Sequence, residues 1–539
     1  MKSEYRTAGR LFRTNGAQMA LALVVSLVVL APRINNSDFL GRLLWGEDGR
    51  VFYGEAERLG VRSVWTLYSG YLHLYPRLVA LLASRFDLAL LPLIYLAGWF
   101  ATFVLMARVV IGRLIGVGVE PWVALAVVAF IGLQPHSAET FFTLTNGQWF
   151  LAIALAVLLL VDVDRTPEWK DVLLIFLLGL TGPFAVLLVP VLVLKLALLR
   201  DFQRHRASYL AIVACALIQG FFVARSGGQT AQPTDPDPSH WVAVIKTFLT
   251  FGGGERTVPL AVAFWGIFAL VLVVAVFKPA SARARTSAQA AGLLTFAGLL
   301  FFAAALWSLK DQPAILSPIG PGGRYFVVPY ALVLVAIGII SAYRPSATLV
   351  QGIVFGLICV LQFRTLDRPP NQFQAFAAFA KGKSHLIIPI NPRWPEYPGW
   401  HVPVDTVTPV GLSPLDYDLR VEYLDLEVAD SSVEREGLHL RSSGNDPRLF
   451  FKGRVDCGGS RFAGVEAKLW RNAGDWVQLF WSHDGAFSER ESLIRFYPAG
   501  SIQAQFAFPN TSGGFYLRLD ALSGRGEFTL RALDIYCVD

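Results

Sequence analysis

Over its first two thirds the chain alternates long apolar runs with short polar breaks. Beyond that it changes to short runs in which apolar and polar residues alternate one by one. Apolar runs near 17–34, 88–111, 119–135, 148–162, 208–225, 258–277, 288–307, 325–342 and 347–362 are each long enough to predict a helix through a bilayer, whose hydrocarbon core takes about 20 residues to cross. A further run, 172–199, is too long for one crossing and carries Thr181, Gly182 and Pro183 at its centre. Proline lacks an amide hydrogen and pushes the preceding residue out of helical geometry. The run is therefore one kinked helix or two short crossings joined at TGPF.

Charge distinguishes these two. The basic segments 1–13, RDFQRHR (200–206), KPASARAR (278–285) and Tyr343–Arg344 are expected on the cytoplasmic side, where Lys and Arg accumulate. All four fall there only if 172–199 crosses twice. The expectation is then about eleven crossings, with the N-terminus cytoplasmic and the C-terminus outside. The same count puts 35–87, 136–147, 226–241 and 308–324 on the outer side. Within the first of these, VFYGEAERLGVRSVW and LYPRLVALLASRF read as amphipathic pieces lying along the membrane surface. SGGQTAQPTDPDPSHW (226–241) reads as a mobile loop.

After Arg364 the pattern changes. Prolines crowd RPP, IPINPRWPEYP and VP, so 364–411 is expected to be a linker. From 412 to 539, LRVEYLDLEV, GLHLRS, FAGVEAKLWR, WVQLFWS, IQAQFAFP, FYLRLDA and FTLRALDIYCV recur between turn signals. Strands at that spacing predict an all-β sandwich or jelly roll. The fold class is thus a polytopic all-α membrane domain (1–363), a proline-rich linker and an extracytoplasmic β domain.

Composition sharpens this. Of 539 residues, 54% are hydrophobic and 16% charged, against about 25% charged in soluble domains. From His401 onward there are 14 Lys and Arg against 20 Asp and Glu, leaving 33 against 20 before it. The basic excess lies between apolar runs, as in membrane proteins, so nucleic acid is not an expected partner. Residues 1–16 are basic and the following run lacks a small-residue cleavage pattern, which predicts an uncleaved first helix. Cys215 and Cys359 sit inside apolar runs. Cys457 and Cys537 sit in the tail, where they can pair only in an oxidising compartment.

Several residues could carry chemistry. Glu47 and Asp48, in LLWGEDGRVFYGEAE, stand just after a crossing. A carboxylate there is either a general base for an acceptor hydroxyl or a solvated loop acid. His73, Tyr75 and Arg77 follow in GYLHLYPRL, and Lys310 and Arg324 flank the GPGGRYF helix mouth. Cations at this boundary bind lipid phosphate or anchor a helix end by snorkelling. His136, Glu139, Asn146, Gln148 and Trp149 lie in HSAETFFTLTNGQW. Asn146 and Gln148 could bond sugar hydroxyls and Trp149 could stack on a sugar face, or Asn146 could simply cap a helix. Trp470, Trp476 and Trp481 either stack on sugar or fill a sandwich core. Metal-ligand spacings, Walker A and GxGxxG motifs are missing from the sequence, which argues against nucleotide-driven chemistry.

The WGEDG element, the surface pieces, the TGPF break, the GGRYF helix mouth and the IIPINPRWPEYPGW segment together resemble the GT-C superfamily of polytopic membrane glycosyltransferases. Bacterial serotype-converting glucosyltransferases are the nearest in pattern. The tail, with FYLRLDALSGRGEFTLRALDIY, is similar to a β-sandwich appended to several bacterial envelope glycosyltransferases. The resemblance implies transfer of a sugar from a polyprenyl-phosphate donor to a cell-envelope glycan or glycolipid, such as lipopolysaccharide, at the outer face of the bacterial inner membrane. It implies a single inverting displacement with Asp48 as base, or Glu47 beside it. It further implies that Arg324 meets the donor phosphate, with Lys310 and Arg77 behind it. No cofactor is expected. A second acidic motif of the metal-dependent relatives is missing, which puts a required divalent metal in doubt.

A transporter or flippase of lipid-linked glycans is the competing class, with a glycan polymerase or ligase as a third. Against transport, ionisable residues are expected in outer loops and not within helices, and no inverted repeat is apparent.

Overall fold

The computed structural model describes residues 14–539 apart from 35–37, 136–137, 163–166, 227–237, 280, 311–314, 321, 364, 366, 394–395, 406–411, 416–420, 425, 429–436, 443–445 and 512. The chain forms an all-helical membrane-spanning region and a distinct β-strand region. It divides into two compact units. One comprises Met1–Ser37, Val61–Leu82 and Ile94–Asp367; the other comprises Asp38–Gly60, Ala83–Leu93 and Arg368–Asp539.

Among the described residues, seven helices are long and apolar enough to cross a membrane: Asn15–Arg33, Leu88–Gly116, Phe202–Arg225, Glu255–Phe277, Ala282–Ser308, Arg324–Ser341 and Pro345–Gln362. Shorter apolar helices include Pro121–Leu133, Gly147–Leu160 and Phe184–Leu199. The helix Arg324–Ser341 is the most enclosed of the seven, 89% of it being buried. The expected mobile loop 226–241 gives way to a helix, Pro238–Leu249, at its end.

The long run 172–199 is broken as its sequence suggests. One helix, Trp169–Gly179, ends before Leu180, and the next, Phe184–Leu199, begins after Pro183. Gly182 takes φ +92°, and a Cβ there would lie 2.5 Å from the Phe184 ring. Only glycine adopts this turn without strain. Backbone groups freed by the break need partners, and the 72–75 segment supplies them. Gly182 N donates to Leu72 O at 2.9 Å and Leu74 N donates to Leu180 O at 3.2 Å. Gln219, wholly buried, accepts from Leu72 N at 3.0 Å and donates to Leu72 O and Gly182 O at 3.1 and 3.0 Å.

In the other unit, 364–411 is more than a linker. It carries a helix, Phe373–Ala380, and an antiparallel pair, β1 (His385–Pro389) and β2 (His401–Asp405). Pro389 ends β1 and Pro403 lies in β2, which is tolerated because a two-stranded sheet has only edge strands. Among the described residues ten further strands follow: β3 (Val421–Leu424), β4 (Leu426–Val428), β5 (Leu438–Ser442), β6 (Arg448–Asp456), β7 (Phe462–Arg471), β8 (Asp475–Ser482), β9 (Ser492–Tyr497), β10 (Gly500–Pro509), β11 (Gly514–Asp520) and β12 (Glu527–Val538). They form two five-stranded antiparallel sheets, ordered β10-β7-β12-β5-β4 and β3-β6-β11-β8-β9. Alternation drives the burial: Phe515, Leu517 and Leu519 of β11 all point inward, as period-two patterning requires. Trp481 of β8 stacks on Phe508 of β10 with centroids 4.6 Å apart, so one sheet contacts the other through aromatic rings. A disulfide between Cys457, just after β6, and Cys537 of β12 also joins the two sheets.

Candidate functional site

The sequence-derived residues fall into groups within each unit. In the helical unit, the short 3-10 turn Ala138–Thr140 presents Glu139, which is buried. One carboxylate oxygen accepts the Gly322 amide hydrogen at 2.8 Å; the other lies 3.3 Å from the Arg324 guanidinium. Gly322 has φ +80°, and a Cβ there would come within 2.6 Å of Ile315 O, which explains glycine before the helix mouth. Arg324 also lies 5.2 Å from the Tyr325 ring centroid and keeps 29% of its side chain exposed.

Tyr325 contacts Trp149 edge-on at 5.3 Å, and Trp149 contacts Phe184 at 5.2 Å. The Trp149 indole N–H donates to Asn146 Oδ1 at 3.1 Å. Asn146 Nδ2 in turn donates to Glu139 O at 2.6 Å and to Thr143 Oγ1 at 3.0 Å. Asn146 precedes the helix Gly147–Leu160 without a side-chain cap bond, so it serves the 139–149 turn and not the helix end. Gln148 Oε1 is buried, has no hydrogen-bond partner among the described residues and lies beside Gly182.

His73 and Tyr75 join this group through the helix break. His73 bridges Thr181, Tyr75 N donates to Thr181 Oγ1 at 3.0 Å, and the Tyr75 hydroxyl donates to Gly98 O at 2.7 Å. His73 and Arg77 are both fully enclosed, and the His73 ring lies 4.5 Å from that of Tyr71. Lys310 is apart from the group and exposed, its ammonium 5.0 Å from the Trp307 ring. His136 lies outside the described residues.

In the β-rich unit, Asp48 closes the 3-10 turn Gly46–Asp48. Its carboxylate accepts the Trp45 amide hydrogen at 3.2 Å, and it is 1% exposed. Glu47 is half-buried. The turn is tied to its surroundings. Gly46 N donates to Asn391 O at 2.6 Å, and Arg368 lies over the Trp45 ring at 4.8 Å while donating to Leu43 O at 2.9 Å. Of the tail tryptophans, Trp481 is core, whereas Trp470 and Trp476 are half-buried.

Sequence reasoning missed one ionic cluster. Lys195, inside an apolar helix and 2% exposed, lies 2.7 Å from Asp162 and 3.2 Å from Asp201; His205 is 3.6 Å from Asp162. Ionisable residues are therefore not confined to outer loops, contrary to expectation. The signal was a lone Lys in VLVLKLALL, since a charge within an apolar run calls for a partner. Asp162, Asp201 and His205 present ligand atoms within 4.8 Å of one another, but the Lys195 ammonium already supplies their counter-charge.

These features define a multi-pass helical membrane protein with an appended β-strand region. No family model matches the chain, and no curated protein is significantly similar. Among solved structures it is similar to a family GH115 4-O-methyl-α-glucuronidase with specificity for decorated arabinogalactans, at 12% identity and TM-score 0.16. The match covers 62% of this chain and 44% of that one, a likeness too loose to carry an argument.

Proposed function

We propose that the chain is a GT-C-like glycosyltransferase that moves a sugar from a polyprenyl-phosphate donor to an envelope glycan. In this reading about eleven segments cross the bacterial inner membrane, counting the two short helices either side of Thr181–Pro183, and the two five-stranded sheets form one periplasmic sandwich. The acceptor hydroxyl oxygen attacks the anomeric carbon, the carbon–oxygen bond to phosphate breaks, and polyprenyl phosphate leaves with its electron pair. Asp48, or Glu47 in its place, takes the acceptor proton. Arg324 meets the donor phosphate. Lys310 and Arg77 are the secondary candidates for that contact, Lys310 exposed and Arg77 enclosed.

The observation that carries this reading is the Arg324 guanidinium. Glu139 and Tyr325 hold it at a helix mouth, yet part of it remains exposed, and Trp149 packs on the adjacent Tyr325. A pre-positioned guanidinium suits a phosphate oxygen pair. Transport is the second reading: Lys195, buried in an apolar helix, pairs with Asp162 and Asp201 just beyond helix ends, and buried charges on apolar helices recur along translocation paths. Purified protein given a synthetic polyprenyl-phosphate sugar and acceptor separates the two. Released polyprenyl phosphate supports transfer; intact donor moved across a liposome bilayer supports transport and sinks the transfer reading.

A further inference from the structure

We propose that a cleft in the β-rich unit binds an uncharged saccharide. It has a volume of about 440 Å³ and is lined by residues at the start of β1, on β7, around the β9–β10 turn, and by Tyr397. That size is in the range of small-molecule sites.

Its floor is ionic but internally neutral. Lys383 Nζ is 2.8 Å from Glu466 Oε2 and 3.7 Å from the Tyr536 ring centroid. Gln505 Nε2 donates to Glu466 Oε1 at 2.8 Å, and the Tyr536 hydroxyl donates to Glu466 Oε2 at 3.1 Å. Both charges are thus consumed within the protein. His385, at the rim, is likewise paired with Asp405 at 2.6 Å. Among the described lining residues the two basic groups, Lys383 and His385, are each already paired with a carboxylate.

The lining offers what hydroxyl-rich ligands need. Ser501 and the Gln503 amide are exposed on β10, and hydroxyls and amides both donate and accept, as sugar hydroxyls do. Tyr397 is 42% exposed, and its ring packs against neighbours. It lies 5.2 Å from the Tyr497 ring, and the Arg495 guanidinium is 5.5 Å from both centroids. Arg495 is itself anchored by donating to Ile387 O at 3.0 Å. An exposed aromatic face fixed in place costs little to order on binding and presents an apolar surface to the C–H face of a pyranose.

This inference concerns recognition and does not rest on the transfer reaction. The test uses full-length protein in detergent micelles on an array of neutral oligosaccharides, with uronate and phosphorylated glycans alongside. Binding to at least one neutral glycan, weakened about tenfold by Tyr397→Ala and by less in Gln503→Ala, is the expected result. Tyr397→Phe should keep most of the affinity, since the ring face remains. Tyr397→Ala also loses the contact with Tyr497, so the melting temperature of each variant is measured alongside and a folding defect is recognisable. Binding of charged glycans only, no binding at all, or neutral binding untouched by Tyr397→Ala would each overturn the proposal. Polyprenyl phosphate release, measured separately, reports on the transfer reading alone.

Discussion

Glu139 and Arg324 face each other at 3.3 Å across 185 positions of sequence, and the same carboxylate takes the Gly322 amide hydrogen. One buried acid therefore sets both the turn before the helix mouth and the direction of the guanidinium that follows it. An isolated arginine would sweep through many rotamers and lose entropy on meeting phosphate. Held by Glu139 and resting near Tyr325, it has already lost much of that freedom.

The pair should be energetically coupled. Glu139→Gln keeps an acceptor for Gly322 but turns an amide donor toward the guanidinium, while Arg324→Gln removes the charge. Residues in contact commonly couple by about 0.5–3 kcal/mol. A double-mutant cycle on unfolding of the detergent-solubilised protein should return a value in that range. Additive single effects would mean that the contact contributes nothing.

The disulfide makes a separate prediction. It closes a separation of 80 residues and links two sheets, and such cross-links are typically worth about 2–4 kcal/mol. Cys457→Ser should lower the melting temperature of the β-rich unit while the helices still insert. Thiol labelling of denatured, unreduced protein should reach Cys215 and Cys359 but neither Cys457 nor Cys537; modification of either tail cysteine contradicts the pairing.

Parts of this arrangement were legible in the sequence for identifiable reasons. Pro183 cannot donate and Gly182 tolerates positive φ, so the break in 172–199 was visible locally. Strands such as β11 were visible because alternation is a local property. The partners of the break were not. Gln219 lies in another apolar run, and nothing local tells a glutamine bound to Leu72 and Gly182 from one facing lipid. The β1–β2 pair was hidden because its prolines read as linker, although a two-stranded sheet leaves edges where proline fits. Asp48 was singled out by its acidic pair, yet its burial and its bond to Trp45 N depend on the turn geometry that Gly46 permits.

Acid should weaken the β-rich unit through Glu466. Burial favours its neutral form, but the hydrogen bonds from Lys383, Gln505 and Tyr536 and the Lys383 charge outweigh this and hold its carboxyl below the ordinary 4.5. The unfolded chain then binds the proton more readily, so the stabilisation is complete above 4.5 and is lost as pH falls through the lower folded value. Glu466→Gln should flatten that part of the melting-temperature profile. An acid limb as steep in the variant as in the parent would assign the loss to other carboxylates.

Asp48 and Arg324 carry different proposed roles, and single substitutions separate them. Asp48→Asn retains an oxygen able to accept the Trp45 amide hydrogen now 3.2 Å away, so the turn should persist. The substitution removes the carboxylate's charge and with it the capacity to take a proton. Losing a general base commonly costs about 10²–10⁴-fold in rate, while donor binding should be unaffected. Arg324→Ala should instead weaken donor affinity, because a charge-assisted contact to phosphate is lost, and should leave Glu139 still bonded to Gly322. The measurements are equilibrium binding of a polyprenyl-phosphate sugar and the single-turnover rate of its transfer, each on protein shown to be folded at the assay temperature. Normal turnover in Asp48→Asn with an inactive Glu47→Gln would exchange the roles of the neighbours and keep the acidic turn as the source of the base. Full activity in both would leave Asp48 with a structural role alone, and the catalytic assignment would be wrong.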